Sequence, residues 1–288
     1  MRASCLAVLC LMAVLSVATS RVHAHEGLRE QITALTLQID ADPARADLYL
    51  RRGDLRRATG DFTDAHADLD RAARLDPQLA GLDLGRARLH LDEHRPADAV
   101  AAATRVLTVE SRNVQARLIR ARALAQLGNR PNAVADFSRA IDLDPTPDVI
   151  IERARLLEAP PADLEEALGG LEDGLRRIGP VVTLDLEALE IERRLRRYDA
   201  ALRRIDGITA RSPRKEQWLA RRAALLDEAG RSTDALSAYE AALAATTALP
   251  PHIRDTRAVA ALVSIVQSHI VRLNAALRTA RFGRSVSR

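Results

Sequence analysis

The sequence of 288 residues is short of cysteine, aromatic rings and lysine, and each shortage closes off a class of function. Its two cysteines, Cys5 and Cys10, both fall within the first twenty residues. There Arg2 precedes an uncharged stretch from Ala3 to Ser20, apolar mainly between Cys5 and Ala18, followed by Val22-His23-Ala24. A basic start, an apolar run and small residues before a cut make a secretory signal peptide. Residues 1–24 are therefore expected to be removed near Ala24 on export, the apolar part being shorter than the ~20 residues needed to span a bilayer. Processing would leave no cysteine, which excludes disulfides, thiolate metal sites and cysteine nucleophiles from the mature chain. Aromatic residues make up 2% of the chain, so the core must be built from Leu, Ile, Val and Ala. Lys215 is the sole lysine, and the near-total use of Arg points to a GC-rich bacterial genome. Convincing strands are lacking too, and with them any glycine-rich phosphate loop that would follow one.

The formal net charge is +4, but the excess is uneven. Between His252 and Arg288 there are seven arginines (254, 257, 272, 278, 281, 284 and 288) and one acid, Asp255. The rest of the mature chain is slightly acidic. A nucleic-acid footprint would cluster its bases along one face with aromatic or base-reading groups, and the body has no such cluster. Nucleic acid is not expected as a partner.

What the sequence has in abundance is Ala, Leu and Arg, which lose little rotamer freedom in a helix. It also has a period. Ala65, Ala99, Ala133, Ala167, Ala201 and Ala235 stand 34 residues apart. With Ala65 taken as position 20, position 8 reads Gly53, Ala87, Ala121, Arg155, Leu189 and Ala223. Position 15 holds Gly60, Gly128 and Gly230; position 27 holds Ala72, Val106, Ala140, Gly174, Ile208 and Ala242; position 32 holds Pro77, Pro145 and Pro213. The pattern describes a helix–turn–helix unit. Small residues at positions 8, 20 and 27 let two helices touch, a glycine in the left-handed conformation ends the first, and a proline stops the second. Acids at position 19 (Asp64, Asp98, Glu166 and Asp234) suit the positive end of the second helix.

The residues Ala46-Asp47-Leu48-Tyr49, Gly53, Gly60-Asp61-Phe62, Ala65, Leu69, Ala72 and Pro77 resemble a tetratricopeptide repeat. Ala121, Gly128, Ala133, Phe137, Ala140 and Pro145 repeat the resemblance, as do Ala223, Gly230, Ala235, Tyr239 and Ala242. The fourth unit departs, with Pro160-Pro161 at its turn, Gly169-Gly170 and Gly174 in its second helix, and Gly179-Pro180 closing it. The expected fold is all-α, a right-handed α-solenoid of six repeats (46–79, 80–113, 114–147, 148–181, 182–215 and 216–249) with capping helices. The caps are placed at 25–45 and 250–280, the latter a long helix from about Ile253 to Leu277, and a basic, disordered tail at 281–288. Glycines in the fourth unit read as loosened packing or a hinge.

A site for chemistry is harder to find. No nucleophile lies beside a base, and paired carboxylates such as Glu165-Glu166 or Glu190 and Glu192 read as solvated charge. The chain is expected not to be an enzyme, with no cofactor and no metal assigned. Tyr49, Phe62, Phe137, Tyr198 and Tyr239 read as helix-packing residues, whereas Trp218 and Phe282 are left as contact candidates. His90 and His94 are four residues apart, but at positions 11 and 15, so His94 is expected in the turn rather than on the helix face.

The resemblance implies a groove lined by the first helices of the repeats, where a partner peptide lies. Its candidate residues are Arg51, Asp54, Arg88, Arg122, Arg153 and Arg221, an arginine-rich set in the first units suited to an acidic segment. Glu187 and Glu190 would make the fifth unit acidic. The chaperone-tail carboxylate clamp of the family is not supported, since Leu50, Asp54 and Gly85 occupy its places. The leading expectation is a protein-interaction scaffold of the bacterial cell envelope or periplasm. Two others compete: a metal-binding periplasmic protein using His25, His90 and His94, and a membrane-associated assembly factor held by an uncleaved leader or by the Arg-rich tail on anionic lipid.

Overall fold

A computed structural model of the chain describes residues 26–160 and 162–286. Residues 1–25, which include the segment expected as a signal peptide and His25, lie outside them. The described residues form helices and no strand, and they divide into two compact units, Met1–Asp144 and Pro145–Arg288.

In the first unit α1 (residues 26–41) precedes three helix pairs. These are α2 (Ala46–Thr59) with α3 (Phe62–Leu75), α4 (Leu82–Asp92) with α5 (Pro96–Val109), and α6 (Val114–Gln126) with α7 (Arg130–Leu143). The second unit contributes α8 (Pro147–Glu158) with α9 (Leu164–Ile178), α10 (Val182–Arg194) with α11 (Tyr198–Arg211), and α12 (Glu216–Glu228) with α13 (Ser232–Thr247). A single-turn helix, α14 (Pro251–Arg254), and the long α15 (Arg257–Val286) follow. The second helix of a pair stops just ahead of Pro77, Pro145 and Pro213, as a proline ring requires.

The six alanines at 34-residue spacing are all fully buried, each at the seam of its helix pair. Gly53 stands across the first seam, where an added Cβ would lie 3.3 Å from the Ala65 carbonyl oxygen and from the Asp68 Cβ. Ala87, Ala121, Leu189 and Ala223 are buried in the equivalent place. Aliphatic side chains fill in around them. Leu35 and Ile39 of α1 join Leu48, Leu69 and Leu82 in one cluster, and Leu202, Ile205, Leu226 and Tyr239 form another.

Five of the six turns between paired helices share one backbone device. Gly60 N–H bonds the Arg57 carbonyl and Asp61 N–H bonds that of Arg56. The same two bonds recur at Gly128 with Asn129 and at Gly230 with Arg231. They recur also at His94 with Arg95 and at Arg196 with Arg197, where non-glycine residues take the left-handed conformation with φ of 56° and 57°. The hydrogen bonds, not the glycine, define the turn.

The fourth pair departs in a specific way. Arg155, which the fixed spacing puts at position 8, is exposed, and Ala154 is buried in its stead. Ala154 lies thirteen residues before Ala167, whereas the other seams are separated by twelve. The connection between Glu158 and Leu164 has five residues against two or three in the other pairs, and the first helix is shifted by one position at the seam. Gly169 has open space beside it, but Gly174 is not loosened packing. A Cβ on Gly174 would come within 2.8 Å of Ile150, and one on Gly170 within 2.5 Å of the Arg153 guanidinium. Gly174 is what lets Ile150 of α8 lie close against α9.

At the C-terminal end the expected single helix from Ile253 is broken. α14 closes at Asp255, and α15 starts afresh after Thr256, whose Oγ1 faces the Val259 N–H at 3.4 Å. It then remains helical to Val286, through the segment expected as a disordered tail. Val266 and Leu273 pack, with Leu262 and Ile270, into the cluster around Tyr239, while Ile265 and Val271 face outward. The span Arg257–Thr279 is long and apolar enough to cross a membrane by length and composition. Here it covers α13. His269 stacks on Tyr239 with ring centroids 5.0 Å apart, and Arg272 pairs with Asp227.

Two substitutions separate packing from backbone strain. Ala133→Leu should overfill a seam and lower unfolding stability by about 1–3 kcal/mol. Gly128→Ala meets no atom within 4 Å. Its cost should come from the left-handed backbone alone, about 1–2 kcal/mol. Urea denaturation of the purified chain measures both, and a neutral Ala133→Leu would contradict the seam.

Candidate protein-interaction surface

Within each unit the first helices of successive pairs form a row: α2, α4 and α6 in one, α8, α10 and α12 in the other. Ion pairs stitch neighbours in these rows. Asp54 on α2 lies 3.5 Å from Arg88 on α4, and Arg57 pairs with Asp92. In the second unit Arg155 pairs with Glu187, Arg194 with Glu158, and Arg193 with Glu228 at 2.8 Å. Arg193 also chelates Glu190 with bonds of 2.6 and 3.0 Å, which hold that carboxyl below the usual range. Burial pushes the Glu158 carboxyl up, against the opposing pull of Arg194.

The six groove candidates are therefore not six equivalent charges. Asp54 and Arg88 face each other, with Arg57 3.6 Å from Asp54 on the other side. Arg153 reaches back to Glu166 on α9 and is largely buried. Arg51, Arg122 and Arg221 are exposed. Arg221 contributes to the field that depresses Glu190. The fifth unit is not a bare acidic patch, because Glu187 and Glu190 are both held by arginines. The acids that neutralise the rows were not singled out from the sequence, although a signal existed. In a 34-residue repeat, opposite charges 32 to 36 positions apart fall on adjacent first helices, as Arg57 and Asp92 or Arg194 and Glu158 do.

A second set of charges lies inside the pairs. Arg52 at position 7 makes a bidentate bond to Asp68 at position 23 (2.7 and 2.9 Å), and Arg56 adds a third contact at 2.8 Å. Arg120 holds Asp136 in the same way at 2.6 and 2.8 Å. Where position 23 is alanine, the arginine turns to the preceding pair: Arg86 to Asp70 and Arg222 to Asp206. In the fifth repeat position 23 is itself Arg204, buried among Glu192, Asp185 and Glu172. Asp68 and Asp136 are only 3% and 2% exposed, so each depends on its arginine for compensation.

The aromatic residues divide as their positions imply. Tyr49, Phe137 and Tyr239 are buried. Phe62 packs at the edge of the first cluster, and Tyr198 and Trp218 are half-buried.

The histidines pair differently from the sequence reading. His94 sits in the left-handed turn and shares no face with His90. His90 instead meets His66, one helix pair earlier, with ring centroids 5.4 Å apart, and Glu93 lies beside both. His66 Nε2 is 2.9 Å from Glu93 Oε2, and His90 Nδ1 is 3.6 Å from the same oxygen. Burial, with Arg95 nearby, lowers the His90 pKa.

Family models described as tetratricopeptide repeat match residues 46–79, 84–146 and 186–250, together more than half of the sequence. The chain belongs to the tetratricopeptide repeat family. Its fold is similar to that of PilW, a widely conserved type IV pilus biogenesis factor, at 18% identity and a TM-score of 0.53, over 68% of this chain and 90% of that one. It is also similar to a tetratricopeptide repeat protein from Parabacteroides merdae, at 14% identity and a TM-score of 0.49, over 87% of this chain and 97% of that one. YrrB, a TPR protein with an unusual peptide-binding site, matches at 17% identity and a TM-score of 0.48, over 72% and 98%. No curated protein matches the sequence. The match to the family leaves residues 147–185 uncovered, which is where the fourth repeat slips register.

The two classes of ion pair should respond differently to mutation. Asp136→Ala strands the Arg120 guanidinium inside the α6–α7 pair and should cost about 3 kcal/mol of stability. Asp83→Ala removes a partner of Arg105 at an exposed pair and should cost ~1 kcal/mol or less. Comparable losses in thermal unfolding would show that position 23 has no special burden.

Proposed function

We propose that this tetratricopeptide repeat protein is a non-catalytic scaffold, exported to the periplasm or beyond in a bacterium, that holds a protein or peptide partner on its first helices. The observation that carries this reading is the division of labour within each pair. Fully buried alanine seams and buried Arg–Asp bonds account for the inward faces. The row α2, α4 and α6 also carries charged side chains outside those seams, some of them paired between neighbouring helices. On that row Arg51 and Arg122 are exposed, and Arg88 is only loosely engaged by Asp54. An arginine fork prefers a planar carboxylate, so an acidic partner segment suits this row and would compete with Asp54 for Arg88.

The test is charge reversal in the processed protein. Affinity capture from the native host should recover a partner, and combining Arg51→Glu, Arg88→Glu and Arg122→Glu should reduce its recovery at least ten-fold. Recovery should also fall as salt is raised, because exposed charges are screened beyond about 10 Å at 0.1 M ionic strength. A partner retained equally by the triple variant would remove the acidic-segment assignment. No partner above background would remove the scaffold. Export is tested separately by the mass of the native N-terminus: a chain starting at His25 is expected, and an intact Met1 would overturn it.

A further inference from the structure

We propose that His66, His90 and Glu93 form a binding site for a divalent transition-metal ion of the zinc class, clamping the first helix pair to the second. The inference does not rest on the scaffold reading. Three side chains from two repeats bring their ligand atoms within 4.8 Å of one another. His66 is on the outer part of α3, His90 is in the last turn of α4, and Glu93 is the residue that ends α4.

The contacts within the trio are those of a site short of one member. Glu93 Oε2 is shared: it bonds His66 Nε2 at 2.9 Å and lies 3.6 Å from His90 Nδ1, too far for a hydrogen bond. His90 Nδ1 is buried without a hydrogen-bond partner. Buried polar atoms are paired in nearly all native structures, so an orphan aimed at a carboxylate and a second imidazole points to a ligand.

The donor set and spacing favour zinc. Two imidazole nitrogens and one carboxylate oxygen are borderline-to-hard donors that suit Zn²⁺ better than the oxygen-only preference of Mg²⁺ or Ca²⁺. Ligand bonds of about 2.0–2.1 Å in a tetrahedron put the ligand atoms about 3.3 Å apart. The observed 2.9 and 3.6 Å bracket that value, and all three atoms fall within 4.8 Å, so small side-chain rotations close the site. His66 is the most exposed member, at 31% of its side chain, which leaves the fourth position facing water. The surrounding charge is not prohibitive. Arg95 lies 3.7 Å from Glu93 Oε2, but it is tied at 2.7 Å to Asp98. Because stability in a repeat array is passed between neighbours, an ion held across α3 and α4 would stiffen that one interface.

The experiment is calorimetric titration of the full chain with Zn²⁺ alone, paired with visible absorption of the Co²⁺ form. One equivalent should bind, with the absorption of tetrahedral cobalt, and the melting temperature should rise with zinc concentration. His90→Asn and, separately, His66→Gln should each weaken binding at least ten-fold and abolish the cobalt band. His94→Ala should leave both unchanged. His66→Gln alters a partly exposed side chain, so circular dichroism unchanged from wild type will separate lost ligation from lost folding. No binding to the wild-type chain at micromolar zinc, or one equivalent surviving in the His66→Gln/His90→Asn double variant, would overturn the site.

Discussion

The close approach of paired helices is the constraint on which the molecule depends. A seam with no room for a side chain larger than alanine brings two backbones together, and it recurs at Ala65, Ala99, Ala133, Ala167, Ala201 and Ala235. Alanine contributes little hydrophobic area of its own. Its value lies in the dispersion contacts that larger neighbours gain when helices come near, as Leu69 and Tyr239 do in their clusters. The chain uses glycine in the same role at Gly53 and Gly174, where an added Cβ would crowd Asp68 and Ile150.

Charge is arranged around those seams in two layers with different physical roles. Arg52 with Asp68 and Arg120 with Asp136 lie within helix pairs, where removing one partner strands the other away from water. Ion pairs such as Arg57 with Asp92 and Arg193 with Glu228 lie between successive first helices and remain partly solvated. The inner layer specifies which helix face meets which, since a one-residue slip would leave a buried carboxylate unpaired. The outer layer has a different consequence: it lowers the net charge of the surface offered to a partner. Arginines that look alike by composition are in three dimensions unequal: Arg88 lies against Asp54 and Arg153 is held by Glu166.

The turns show how little of the local structure needs a particular residue. The two backbone bonds that follow Leu124 and Ala125 at Gly128 are reproduced at His94 and Arg196, which are forced to positive φ. Glycine relieves strain there without specifying the turn. The fourth repeat makes the complementary point. Its seam survives a longer turn because Ala154 replaces Arg155 inside and Gly174 accepts Ile150. The stretch that the family models leave unmatched, 147–185, holds this intact but register-shifted helix pair.

The recurrence of small residues every 34 positions was enough to read the helix pairs, the buried alanines and the family, because close packing restricts side-chain size at fixed intervals and a period survives in one dimension. The charges and histidines were legible as residue types but not as partners. His90 looked toward His94 along the sequence, whereas the fold sets it against His66, twenty-four residues away on the preceding pair. Groove arginines likewise looked alike until Asp54 and Glu166 were seen to engage two of them. Side-chain pairing depends on distances of 3 to 4 Å between helices that stack, and an attraction at that range is set by tertiary packing rather than by order along the chain.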